Sequence, residues 1–383
     1  MRKFLIAIFM SVCVGAAAQD QDLAFLYISK FYNDSIYHPT SNASNISAAI
    51  LKNEFADFNL ATLLSEKKPS KQILGYSKKN KPIEAFYFPG SSNKKALVIG
   101  GVHGSELSSV EVARKLVAQL TKGAKPFYSV IIIPSLFPDN AATAEACKRD
   151  RVVHNTGRYS DIDAIDPNRQ LPGLGKPFYV NEGRDAYNRQ IEKENQLLLQ
   201  LIQAFAPERI VNLHAIKDYG KAGVYADPRT DCNGRALGFS SDSSLAVLMA
   251  KYIDDKGGNV AGNKIKTSPT ALYYLDPKPA AVGEKQERNL VGANLKGKIN
   301  GISLGSWAST AVCDEANNYY RPAMRILTIE FPGYKMSAEY KFQDDRKWYT
   351  DMVNLYASSI HKYFLQAYYV EENTPKEEGL VIR

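Results

Sequence analysis

The chain has 383 residues, 45% of them apolar, with 48 basic against 40 acidic side chains and a formal net charge of +8. This is enough apolar material for a sizeable core in one large domain or two small ones, and it excludes a disordered chain. The basic excess is mild, scattered and not interleaved with aromatic residues, so it suits an acidic substrate or an anionic surface and gives no reason to expect nucleic acid as a partner.

In chain order, residues 1–19, MRKFLIAIFMSVCVGAAAQ, place two basic residues before a short apolar run that ends in small residues. This is the pattern of a secretory signal peptide, so an exported protein, periplasmic or secreted, is expected. The run is too short for a comfortable membrane span and no later segment could cross a bilayer, so stable membrane insertion is not expected. A lipoprotein reading of Cys13 fits poorly with the Met-Ser-Val before it. Asn42 and Asn45 begin Asn-X-Ser/Thr matches, which matter only in a glycosylating host. Residues 20–70 are expected to form a polar preface, 71–365 the functional domain and 366–383 a frayed tail.

Within the domain, strands are expected at IEAFYF (83–88), KALVIGG (95–101), FYSVIIIPS (127–135), RIVNLHA (209–215), GVYAD (223–227) and RILTIEF (325–331). Several are continuous apolar runs, as a sheet covered on both faces requires. Helices are expected over 105–123, 188–206, 243–258 and 346–369, from apolar residues recurring at helical spacing. The alternation implies one α/β layered domain, with a central mixed, mostly parallel sheet flanked by helices. After removal of the signal, Cys147, Cys232 and Cys313 remain, without CxxC spacing; one disulfide plus a free thiol is allowed and none is required.

The strand KALVIGG runs directly into VHGSE, so His103 and Glu106 fall beyond a strand's carboxyl end, where open α/β sheets bind ligands. Imidazole and carboxylate are zinc ligands, and catalytic zinc sites usually take three protein ligands. The competing reading makes His103 a turn residue and Glu106 a first-turn acid favoured by the helix dipole. Of the five histidines, at 38, 103, 154, 214 and 361, His214 ends another apolar strand and is the best third ligand on geometry alone. No Gly-x-Ser-x-Gly elbow is present and no cysteine has a matched histidine context, which disfavours a nucleophilic mechanism. Glu330, between Ile329 and Phe331-Pro332, is a carboxylate at an apolar strand end, the setting of a general base whose pKa burial raises.

The ordered set VHGSE, FPDN, DPNRQLP, NLHA, SLGSWAS and LTIEFPGY resembles the zinc metallocarboxypeptidase family of the carboxypeptidase A type, over roughly residues 70–365. The resemblance implies one zinc ion on His103, Glu106 and His214, with Glu330 as general base. It implies that Asn168 and Arg169 grip a substrate's terminal carboxylate, a task suited to a planar guanidinium beside an amide. It implies an arginine supporting the developing oxyanion: Arg151 fits best by spacing, with Arg149 and Arg158 in reserve. The family's mobile tyrosine would fall near Lys298, where none stands; Tyr273, Tyr274, Tyr319 and Tyr320 are the substitutes from neighbouring loops. The segment between Trp307 and Glu330 is longer than expected, implying a remodelled specificity pocket. The expected activity is release of a C-terminal residue from a peptide with a free carboxylate, with murein stem peptides the favoured substrate. A general peptide carboxypeptidase, an aspartoacylase-like deacylase and a non-catalytic peptide-binding protein are the alternatives.

Overall fold

Apolar side chains on both faces of the central strands decide the layers of this molecule. A computed structural model of the chain describes residues 58–123, 125–147, 156–160, 165–179, 183–234, 236–238, 240–263, 301–313 and 319–367. Its first half contains α1 (Leu60–Ser65), β1 (Ser70–Tyr76), β2 (Pro82–Phe88), β3 (Lys95–Ile99), α2 (Leu107–Lys122), β4 (Ser129–Ile133), α3 (Pro138–Ala146) and α4 (Lys193–Phe205). Then follow β5 (Arg209–Ile216), β6 (Gly223–Ala226), β7 (Arg229–Thr230), β8 (Ala236–Gly238), α5 (Ser240–Asp255), α6 (Leu304–Ala308), β9 (Val312–Cys313), β10 (Tyr319–Arg321), β11 (Arg325–Pro332) and α7 (Gln343–Ser359).

Seven strands form one mixed sheet in the order β1-β2-β4-β3-β5-β11-β6. The four central strands β4, β3, β5 and β11 are parallel, while β1, β2 and β6 pair antiparallel at the margins. Leu97, Ile99, Ile131, Ile133, Ile210 and Ile326 face one core, closed by α1, α4 and α6. Their neighbours Val98, Val130, Ile132, Val211, Leu327 and Ile329 face the other, closed by α2, α5 and α7. Each such side chain taken fully out of water contributes on the order of 2 kcal/mol. The α/β layers expected from the alternating elements are those observed.

Boundaries differ where local polar chemistry intervenes. The helix expected from residue 188 begins at Lys193, because 183–191 fold into a tight turn. There Asp185 Oδ1 accepts from the backbone N–H groups of Tyr187 and Arg189, and Asn188 takes φ +61°. The C-terminal helix ends as an α-helix at Ser359 and widens into one π-type turn over Ile360–Phe364. Helix α1 lies within the stretch expected as a polar preface, yet Leu63 is buried in the first core. Cys232 and Cys313 form the disulfide allowed by the sequence, and Cys147 is free.

Candidate metal centre

Parallel strands β3 and β5 are neighbours in the sheet, so the loops leaving their carboxyl ends converge. After β3 the chain turns at Gly101, whose φ of +63° is costly for other residues, and reaches His103 and then Glu106 at the start of α2. Glu106 occupies the cap position of that helix but its side chain makes no capping hydrogen bond. Its carboxylate turns instead towards two imidazoles: Oε1 lies 2.9 Å from His103 Nδ1 and Oε2 3.0 Å from His214 Nδ1. The backbone N–H of Ala215 also donates to Oε2, at 3.0 Å. All three side chains are buried, with ligand atoms within 4.8 Å of one another.

Asp166, absent from the residues singled out in the sequence, closes the arrangement. His103 Nε2–H donates to its Oδ1 at 2.7 Å, fixing the ring from the far side. Arg158 spans both carboxylates, donating to Glu106 Oε1 at 2.9 Å and to Asp166 Oδ2 at 3.1 Å. Burial opposes a charge on His103, but Glu106 and Asp166 overcome it and raise its pKa from 6.5 to about 9. Burial alone would push Glu106 and Asp166 up; the imidazoles beside Glu106, and His103 with Arg158 beside Asp166, hold both well below the ordinary carboxylate range. Two ring nitrogens and a carboxylate, each presenting a lone pair once the imidazole protons leave, form the donor set of a divalent metal, and the buried trio fits such an ion.

Glu330 sits directly beside His214 in the β11–β5 register, so both project from the same face of the sheet. Burial raises its pKa above 4.5, with Glu106 adding to the shift and the imidazoles and Arg158 opposing it. Asn168 and Arg169 occupy a single 3-10 turn, Pro167–Arg169, set by Asp166 accepting from Asn168 N–H at 2.8 Å. The Asn168 amide bridges outward: Oδ1 accepts from Leu304 N–H at 2.9 Å, and Nδ2 donates towards His214 Nε2 at 3.4 Å. Arg169 Nη1 donates to the Asn168 carbonyl at 2.6 Å, and its Nε and Nη2 make no hydrogen bond among the described residues.

The structure therefore brings His103, Glu106, His214, Glu330, Asn168 and Arg169 to one rim of the sheet. Arg151 and its reserve Arg149 lie outside the described residues, as do Tyr273, Tyr274 and Lys298. The side chains of Tyr319 and Tyr320 on β10 also fall outside the description. Arg158 is the reserve arginine that the structure places at the site, with both terminal nitrogens on carboxylates. Asp166 carries no local sequence signal for this role, because its partner His103 lies 63 residues earlier in the chain.

No family model matches the chain. Among solved structures it is similar to the murein-tripeptide amidase MpaA from Escherichia coli O157, at 17% identity, covering 79% of this chain and 97% of that one, with a TM-score of 0.39. It is similar to bovine thrombin-activatable fibrinolysis inhibitor in complex with tick carboxypeptidase inhibitor, at 11% identity, covering 80% and 92%, with a TM-score of 0.44. A metallo-carboxypeptidase from Burkholderia cenocepacia is a third, at 14% identity, covering 79% and 67%, with a TM-score of 0.37.

Proposed function

We propose that the protein is an exported, zinc-dependent hydrolase that releases a C-terminal residue from peptides. The observation that carries this reading is the buried convergence of His103, Glu106 and His214 with Glu330 in register beside His214. Zinc held by that trio would supply Lewis-acid polarisation of a carbonyl and lower the pKa of a water bound to it. Glu330 accepts a proton from the attacking water and returns it to the leaving amine; burial favours its protonated form, which brings it nearer the working pH of a general base. Arg169 presents two nitrogens with no partner among the described residues, a fork suited to a carboxylate, while Asn168 ties that turn to His214. Arg151 remains assigned to the oxyanion on spacing within the resembled motifs, and Arg158 is assigned to holding Glu106 and Asp166 in place.

Within this class a cell-wall peptide is the favoured substrate, supported by the exported character expected of residues 1–19. No helix among the described residues is long and apolar enough to cross a membrane. Purified, zinc-loaded protein is to be incubated with murein tripeptides and tetrapeptides and with hippuryl-type peptides, each as free acid and as amide. Cleavage of the free acids alone is the expected result. Equal cleavage of both forms rejects the carboxypeptidase reading, and loss of no more than a few-fold in Glu330→Gln, against the 10²–10⁴ on the order expected of a general base, moves that role elsewhere.

A further inference from the structure

Tyr334 lies four residues beyond Glu330, in the turn by which β11 leaves the sheet. Three hydrogen bonds fix that turn. Gly333 N–H donates to the Ile216 carbonyl at 2.8 Å, the Ser108 hydroxyl donates to the Gly333 carbonyl at 2.5 Å, and Ser108 N–H donates to the Tyr334 carbonyl at 3.2 Å. Ile216 stands two residues past His214, and Ser108 two past Glu106, so the turn is tied to both segments that present the metal-binding side chains. Gly333 has φ +92°, and a Cβ there would sit 2.2 Å from the Tyr349 hydroxyl oxygen, so the turn depends on glycine.

The Tyr334 ring is half-buried and carries the Lys217 ammonium 5.1 Å from its centroid, a cation-π approach from the loop that follows His214. Its hydroxyl makes no hydrogen bond among the described residues. Burial, then the nearby charge of Glu106 and of Glu330, outweigh Arg158 and raise the phenol pKa to about 12. The group is therefore a hydrogen-bond donor throughout the physiological range. Cleaving an acyl bond places negative charge on the carbonyl oxygen, and preorganised donors aimed at that oxygen are among the largest contributions to rate. Of the other side-chain donors described at this rim, Arg158 is committed to two carboxylates and the Asn168 amide to His214, while the open nitrogens of Arg169 are assigned above to the substrate's terminal carboxylate.

Resting on the hydrolase reading above, we propose that Tyr334 contacts the substrate, its hydroxyl donating a hydrogen bond to the oxygen of the scissile carbonyl as charge develops there. Tyr334→Phe removes that one oxygen and keeps the ring under Lys217. In the zinc-loaded full chain it is expected to lower kcat by on the order of 10²-fold, with KM, zinc content and melting temperature nearly unchanged. A peptide phosphonate, whose tetrahedral anion mimics the charged oxygen, should lose affinity by a similar factor, while a product-like carboxylate inhibitor should bind the two proteins equally. Kinetics equal to wild type overturn the inference and leave the zinc hydrolase standing. A loss confined to KM, or an equal loss for both inhibitors, also overturns it, since either marks ground-state binding or structure. A zinc-loaded wild type that cleaves no free-acid peptide overturns the hydrolase reading, and this inference with it.

Discussion

Asp242 and Glu106 are both buried carboxylates whose two oxygens each face a nitrogen-bearing side chain, yet the neighbours differ in kind. Asp242, on α5, takes Arg229 Nε at 2.8 Å and Arg325 Nε at 3.1 Å. Glu106 takes the Nδ1 atoms of His103 and His214. A guanidinium keeps its proton under all ordinary conditions, so the Asp242 cluster is locked into one charge state. An imidazole can give its proton up, and both nitrogens then become lone-pair donors beside the carboxylate. The choice of partner thus separates a cluster that joins α5, β7 and β11 from one that can exchange protons for a metal.

The sharpest break of this contrast is His214→Ala. Zinc content, read by elemental analysis, should fall from about one ion per chain to near none, since a three-ligand site is reduced to two, and peptide hydrolysis should vanish with it. Full occupancy in that variant would move the site. Asp242→Ala should do the reverse: it leaves buried arginine charge without its carboxylate, costing about 3–5 kcal/mol, while zinc per folded chain stays at the wild-type level. At roughly 2–4 °C per kcal/mol, calorimetry should show a melting temperature lower by on the order of 10 °C. A milder effect belongs to Asp166→Asn, which keeps the shape of the acceptor for His103 and removes its charge. Metal affinity measured by competition with a chelator should weaken by about 10–100-fold, without loss of the fold.

The smallest expected effect is a pH dependence that only the histidine cluster should produce. In metal-stripped protein the folded pKa of His103 is about 9 against 6.5 for the ordinary group. A raised pKa contributes stability that is fully present below 6.5 and lost as pH rises towards about 9, so thermal melts should decline across that window. Glu106→Gln should flatten the decline, because Glu106 is the largest contributor raising that pKa. Zinc-loaded protein should show no decline from this source, as bound imidazole is already neutral. Asp242→Ala, though less stable, should retain the slope.

The sheet and the His103–Glu106–His214 cluster were legible in the sequence because each rests on local pattern. KALVIGG runs into the loop that bears His103, RIVNLHA carries His214 near the carboxyl end of β5 itself, and the two buried strands β3 and β5 pair in parallel. Residues whose place depends on distant contacts were not legible. Asp166 meets His103 across 63 residues of sequence, and nothing in DPNRQ by itself names its partner. Strand β1, SKQILGY, buries only Leu74, and it is a strand because β2 offers it a pairing edge. Helix α3 opens with Pro138 and has almost no apolar face, so it gave no periodic signal; its buried residues are the polar Asp139 and Asn140. The placement of Tyr334 has no local signal either, because it follows from a turn pinned by Ser108, more than two hundred positions earlier.

The disulfide between Cys232 and Cys313 acts on the chain before any of this structure exists. Its sulfurs belong to residues 81 positions apart, and closing a loop of that length removes on the order of 4–5 kcal/mol of freedom from the unfolded ensemble in the chain-entropy account. Part of what holds the fold is therefore a restriction on the disordered state, and it operates only where thiols stay oxidised. Cytosolic reductants would lift that restriction, so the compartment in which the chain matures becomes a term in its stability.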